Sequence, residues 1–193
     1  MTTQTLSQQQ DIFRHAAVEA SAALSTWLGR PTAIAINEVV ALPLQEAVGM
    51  LGLDDTPLVA CAMHITGPFT GLLVLTCDDA SGLALAEMIL TGAGQTDGAW
   101  GELQQSAIVE TANIIGCAYL NTVARPTVSG GAAAIMPSPP WFVRDYAATV
   151  MESIVMTQAA SSDTVFLTHS DFLIEGSPVT CSLIFVPEAD HAG

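Results

Sequence analysis

An Arg-Pro pair occurs twice, at Arg30-Pro31 and Arg125-Pro126, 95 residues apart, and each closes a long helix-forming stretch. No other pattern restricts the fold as much, because the order of elements around the two pairs is the same. Asp11 to Leu28 is Ala-rich, and Phe13, Ala16, Ala17, Ala20, Ala23, Leu24 and Trp27 recur at three- and four-residue spacing. That pattern predicts a helix with an apolar core stripe, ended by Gly29-Arg-Pro31. Met1 to Gln9 reads as a frayed lead-in. Thr32 to Leu42 is rich in β-branched residues and predicts a strand that stops at Pro43. In the second half, Glu102 to Ala124 predicts another long helix, and Thr127 to Met136 is a strand candidate running into Pro137, 94 residues after Pro43.

Each half then closes with two strands whose second member is strongly apolar. These are residues 58–66 and 69–76 around Gly67-Pro68, and residues 163–169 and 179–186 around Glu175-Gly176. Gln45 to Leu53 reads as a short helix or turn, and Asp78-Asp79 opens a helix over Ala80 to Leu90. Trp141 to Ser153 reads as a helix, with a strand at Ala148 to Met156 as the alternative. Residues 91–101 hold four glycines and join the halves as a loop; Gly92-Ala-Gly94 lacks the third glycine and the leading strand of a phosphate loop. The expected fold is α/β of the α+β type. One domain over residues 1–193 would consist of pseudo-two-fold halves at about 11–92 and 102–187, with two long helices packed on one face of a largely antiparallel sheet.

Charge excludes whole classes of function. Four basic residues, all arginine, stand against 19 acidic ones, for a net charge of −15. A phosphate backbone or an anionic membrane needs clustered cations, so neither nucleic acid nor membrane is an expected partner. Apolar runs such as Leu72 to Leu75 fall far short of the ~20 residues that span a bilayer, and Met1 to Gln10 has no signal-peptide pattern. The expected location is the cytoplasm. Cys61, Cys77, Cys117 and Cys181 lack ligand spacing and read as reduced thiols, with no metal site. His64 and His169 read as structural, and Asp54-Asp55 and Asp78-Asp79 as turn and cap residues.

Chemistry concentrates on the second long helix. At about 100° per residue, Ser106, Glu110, Asn113, Cys117 and Asn121 form one narrow stripe, opposite Ile108, Ala112, Ile115, Tyr119 and Val123. The apolar set is the expected core face, so Glu110 and Asn113 project side by side toward solvent. Two polar residues on a wet helix face are commonplace. An Asn in mid-helix, however, is locally unfavourable and invites a reason.

The pattern Ser106-x-x-x-Glu110-x-x-Asn113-Ile-Ile-Gly116-x-x-Tyr119-Leu-Asn121 resembles the active helix of the CheC/CheX/FliY phosphatase family of bacterial chemotaxis. Ala23-Leu-Ser25, Pro137 to Pro140 and the closing hairpin resemble CheC as well, so the likeness covers nearly the whole chain. It implies dephosphorylation of a CheY-like response regulator. Glu110 would dock a partner lysine, Asn113 would orient the attacking water, and Ser106, Cys117 and Asn121 would contact the partner. It also implies no cofactor of the chain's own, with Mg²⁺ supplied by the regulator, and either a monomer or a homodimer. CheC carries the motif twice, but here the first helix offers Asp11 and Arg14 in one register, or His15 and Val18 in another. Neither is Glu-x-x-Asn, so a single active site is expected. The alternative function is a non-catalytic interaction module on the same fold, as in the flagellar switch protein, or one that docks a CheD-like deamidase.

Overall fold

The computed structural model describes residues 3–43, 46, 57–67, 70–91, 98–128, 135–158, 164–175 and 177–187. Helix α1 spans Thr3–Leu28 and so begins well before residue 11. The supposed lead-in is rich in Gln, a good helix former, and continues the Ala-rich run without a break. Gly29, at φ 64°, ends the helix in the left-handed region that favours glycine. Strand β1 (Thr32–Pro43) follows and is fastened back onto α1 by two serines one turn apart. The Ser25 hydroxyl accepts from the Thr32 N–H and donates to the Thr32 carbonyl, both at 2.9 Å, and Ser21 Oγ accepts from the Ile34 N–H at 2.8 Å.

Strands β2 (Pro57–Thr66) and β3 (Gly71–Asp78) form the first hairpin, and β6 (Thr164–Ile174) and β7 (Ser177–Pro187) form the second. The hairpins meet through β3 and β7, where Cys77 lies opposite Cys181 and Leu75 opposite Leu183. The outer strands cross over. β1, from the first half, pairs with β6, and β5 (Trp141–Tyr146), from the second half, pairs with β2 beside the short β4 (Met136–Pro137). The order β1-β6-β7-β3-β2, with β4 and β5 on the far edge, is antiparallel throughout and symmetric about the β3/β7 contact. This is the expected pseudo-two-fold sheet.

Both faces of that sheet are covered, which is why β2 and β3 read as apolar runs without alternation. Val59, Cys61, Met63, Leu73, Leu75 and Leu183 pack under α1, α2 (Asp79–Leu90) and α3 (Glu102–Val128). Leu58, Ala60, Leu72, Val74 and Ile184 face the other way, onto Ala147 and Val150 of α4 (Ala147–Gln158). The two long helices share one face, as expected.

Three further expectations differ from the structure over at least part of their length. Arg125-Pro126 does not stop α3, which runs on to Val128, so the first two residues of the strand candidate at 127–136 are helical. A proline this near the end forfeits a hydrogen bond only in the last turn. The rest of that candidate lies outside the described residues until Ile135, and only Met136 and Pro137 form a strand. In the third case, the expected helix holds only over Ala147 to Ser153 and runs on to Gln158, the alternative strand at Ala148 to Met156 is absent, and Trp141–Tyr146 is a strand. Trp141, Phe142, Val143 and Tyr146 are good strand formers and find a partner at the edge of β2, a long-range contact that local periodicity does not encode. Gln45 to Leu53 apart from Glu46, Asp54-Asp55 and residues 92–97 of the loop lie outside the described residues.

Asp78 caps α2 as expected: its carboxylate accepts the Ser81 N–H at 2.8 Å and the Ser81 hydroxyl at 2.6 Å. Asp79 does more than cap. It pairs with Arg144 of β5 and accepts the Trp100 indole N–H at 2.9 Å, while Arg144 lies 5.9 Å above the Trp100 ring. His64 is exposed and stacks on Trp141 at 5.0 Å, a structural contact; the side chain of His169 lies outside the described residues.

Candidate functional site on the outer face of helix α3

The helix that carries the stripe is set in place at three points. At its start, Gly101 provides the first helical carbonyl, accepting from Gln105 N–H at 3.0 Å, and Gln104 Oε1 reaches back to the Gly101 N–H at 3.2 Å. This satisfies one orphan donor in the manner of a capping box, and Glu102 complements the helix dipole. About three turns further on, the buried Thr111 hydroxyl accepts the indole N–H of Trp27 at 3.2 Å and donates to the Ala107 carbonyl at 2.8 Å, tying α3 to α1. In the middle, a Cβ on Gly116 would fall 2.6 Å from Met63 Cε and 2.8 Å from Sδ, so the helix lies against β2 with the end of Met63 filling the space a side chain would take.

Given that seat, the helix presents the expected faces. Ile108, Ala112, Ile115 and Tyr119 are buried. The side chain of Val123 lies outside the described residues. Ser106, Glu110 and Asn121 are exposed, and Asn113 and Cys117 are half-buried. Glu110 and Asn113 therefore stand side by side on an open surface of a rigid element. The Cys117 thiol donates to Asn113 Oδ1 at 3.6 Å. Burial, and then the nearby Glu110 carboxylate, push that thiol above its ordinary pKa, so it is protonated at neutral pH. The other three cysteines are buried and free, and burial raises Cys61 and Cys181 further out of the reactive range.

Asn121 stands apart from Glu110 and Asn113. It borders a groove of about 360 Å³ between α1 and α3, together with Glu19, Ala22, Ala23, Thr26, Ala118 and Thr122. Sequence periodicity could not show the groove, which exists only because the two helices pack together. Trp27 was expected in the core stripe of α1; Ala16, Ala17, Ala20 and Leu24 are buried, but Trp27 sits at the rim, 38% exposed, beside Thr111. Leu103, in phase with Glu110 and 51% exposed, adds a second apolar side chain that the reading of the stripe left out. On α1, Arg14, His15 and Val18 are all exposed, while the side chain of Asp11 lies outside the described residues. Among the described residues no group of three His, Cys, Asp or Glu side chains could hold a metal ion, and no helix is long and apolar enough to cross a membrane.

The open stripe offers a carboxylate, a carboxamide and a thiol, with no strong nucleophile or base. Such a set can bind a cation, and can orient a water molecule or an oxyanion supplied by something that docks on it.

No family model and no curated protein matches this sequence. Solved structures do match. FliY from Thermotoga maritima is 19% identical with a TM-score of 0.74, over 95% of this chain and 90% of that one. The FliM middle domain from H. pylori is 13% identical with a TM-score of 0.71, over 97% and 94%. A CheX–CheY–BeF3–Mg²⁺ complex from Borrelia burgdorferi is 15% identical with a TM-score of 0.55, over 91% and 97%. Built from two crossed halves around a shared β3/β7 seam, the chain has the CheC-like fold of these chemotaxis and flagellar proteins.

Proposed function

We propose that this protein is a phosphatase that hydrolyses the aspartyl phosphate of a CheY-like response regulator in the cytoplasm, through one site on α3. The observation that carries the reading is the pairing of Glu110 and Asn113 on the exposed face of a helix clamped at Gly101, Thr111 and Gly116. Glu110 docks a lysine at the regulator's active site. Asn113 accepts a hydrogen bond from the attacking water and donates to the phosphoryl group without bringing negative charge to it. The water oxygen attacks phosphorus in line and the bond to the aspartyl oxygen breaks. The aspartate leaves as a carboxylate, and the water's protons pass to phosphate and solvent. Because an acyl phosphate has a good leaving group, positioning and charge stabilisation suffice and no strong base is needed. Mg²⁺ belongs to the regulator, and this chain supplies no cofactor. Ser106, Leu103 and Trp27 border the docking face.

Single-turnover dephosphorylation of the phosphorylated regulator tests this. Asn113→Ala should slow phosphate release by roughly 10²-fold or more, as loss of a positioning group does. Glu110→Ala should chiefly weaken binding. Equal rates for wild type and Asn113→Ala would sink the catalytic reading. A second reading, a non-catalytic interaction module that binds a switch component or a CheD-like deamidase, draws on the closer superposition on the FliM middle domain than on CheX. That reading predicts a stable complex and no phosphate release.

A further inference from the structure

The Cys117–Asn113 contact gives Cys117 a part in the site beyond the expected contact with the partner. Side chains on a helix lean toward its N-terminus, so Cys117 reaches back over the turn that bears Asn113, and its thiol meets Oδ1 at 3.6 Å. With Oδ1 turned toward Cys117, the amide nitrogen is turned away from it. The two ends of a carboxamide are nearly equal in size and opposite in polarity. A half-rotation therefore meets little steric resistance, yet it exchanges donor for acceptor. In the rotated state, oxygen lone pairs would face the phosphoryl oxygens.

We propose that Cys117 is a positioning residue whose S–H group holds the Asn113 carboxamide in its productive orientation. The amide N–H groups then face the phosphoryl oxygens, and one Oδ1 lone pair is left for the attacking water. This inference rests on the phosphatase reading. A thiol suits the task because it is half-buried and stays protonated beside Glu110; a thiolate would be an acceptor and would turn the amide over.

The test compares wild type, Cys117→Ala, Cys117→Ser and Asn113→Ala on a CheY-like receiver phosphorylated with acetyl phosphate and Mg²⁺, with kcat and KM measured separately. Loss of one neutral hydrogen bond should lower kcat in Cys117→Ala by roughly three- to tenfold, with KM changed by less than about twofold. Cys117→Ser, which keeps a donor in the same place, should recover most of the rate. An unchanged kcat in Cys117→Ala, or a Cys117→Ser variant as slow as Cys117→Ala, overturns the inference while a slow Asn113→Ala leaves the phosphatase reading standing. If Asn113→Ala is as fast as wild type, the phosphatase reading itself fails, and the role of Cys117 with it.

Discussion

Glu110 is open to solvent while Asn113 is half-buried against Cys117, and that difference suits the two to different tasks. An exposed carboxylate is free to follow a partner's cation. A carboxamide held at one end presents fixed geometry to a reacting centre. Asp79 shows the opposite use of a carboxylate, for structure. The Arg144 guanidinium donates to it from Nε and Nη2, and with the Trp100 indole holds its carboxyl below the usual carboxylate range against an opposing push from burial. A carboxylate whose folded pKa is depressed stabilises the fold above its unfolded pKa, and that stabilisation is lost as pH falls through the folded value. Asp79→Asn should therefore lower stability at pH 7 by about 0.5–1 kcal/mol, the range for a partly exposed ion pair. The gap to wild type should close as pH drops below about 4, the ordinary Asp range. Urea unfolding at pH 7 and pH 3 checks this, and an equal gap at both would mean that the pair's charge does not stabilise the fold.

On the scale of the element, α3 is a helix held close to a sheet by the absence of one side chain. Gly116→Ala gains about 1 kcal/mol of helix propensity but must displace the flexible end of Met63, with Leu73 Cδ2 just behind at 3.5 Å. The two effects nearly offset, so Gly116→Ala should change stability by less than about 1 kcal/mol, whereas Gly116→Val should cost about 2–3 kcal/mol through overpacking. Denaturant midpoints of the two variants decide, and a Gly116→Val variant as stable as wild type would show that the close approach at Met63 is unimportant. Much of this helix was legible beforehand. A 3.6-residue period put Ile108, Ala112, Ile115 and Tyr119 inward and Ser106, Glu110 and Asn121 outward. The extent of the helix was less so, since a proline in the last turn forfeits only one hydrogen bond and need not end the helix. Trp27 defeats a periodicity argument for another reason: its indole N–H wants an acceptor, finds Thr111 at the helix–helix seam, and leaves the ring at the surface. Only the start of the helix expected at Trp141 to Ser153 departs from that reading, because the strand at Trp141–Tyr146 exists through its pairing with β2, more than 70 residues away in sequence.

At the scale of the whole molecule, the duplication was visible in the spacing of Arg-Pro and Pro residues, but the crossing of β1 and β5 into opposite halves was not, because long-range pairing leaves no local trace. The crossing makes each half complete the other's sheet, so the two α3-like positions are rigidly related although only one bears Glu and Asn. Charge is the property that the symmetry does not explain. In the proposed reaction a body of net charge −15 would approach a receiver whose own active site is acidic, and at about 10 mM salt the Debye length of roughly 30 Å would let the two repel before they touch. At about 150 mM it falls to roughly 8 Å, so long-range repulsion would be screened while the proposed contact between Glu110 and a partner lysine would survive. For the phosphatase, kcat/KM should therefore rise roughly several-fold from about 10 to 150 mM salt and then decline as the contact pair is screened in turn. In Glu110→Gln the rise should persist and the decline should flatten. An interaction module built to bind a basic partner would behave otherwise, its association slowing steadily from the lowest salt. A monotonic fall in kcat/KM would thus count against a receiver as the partner, whatever the activity of Asn113.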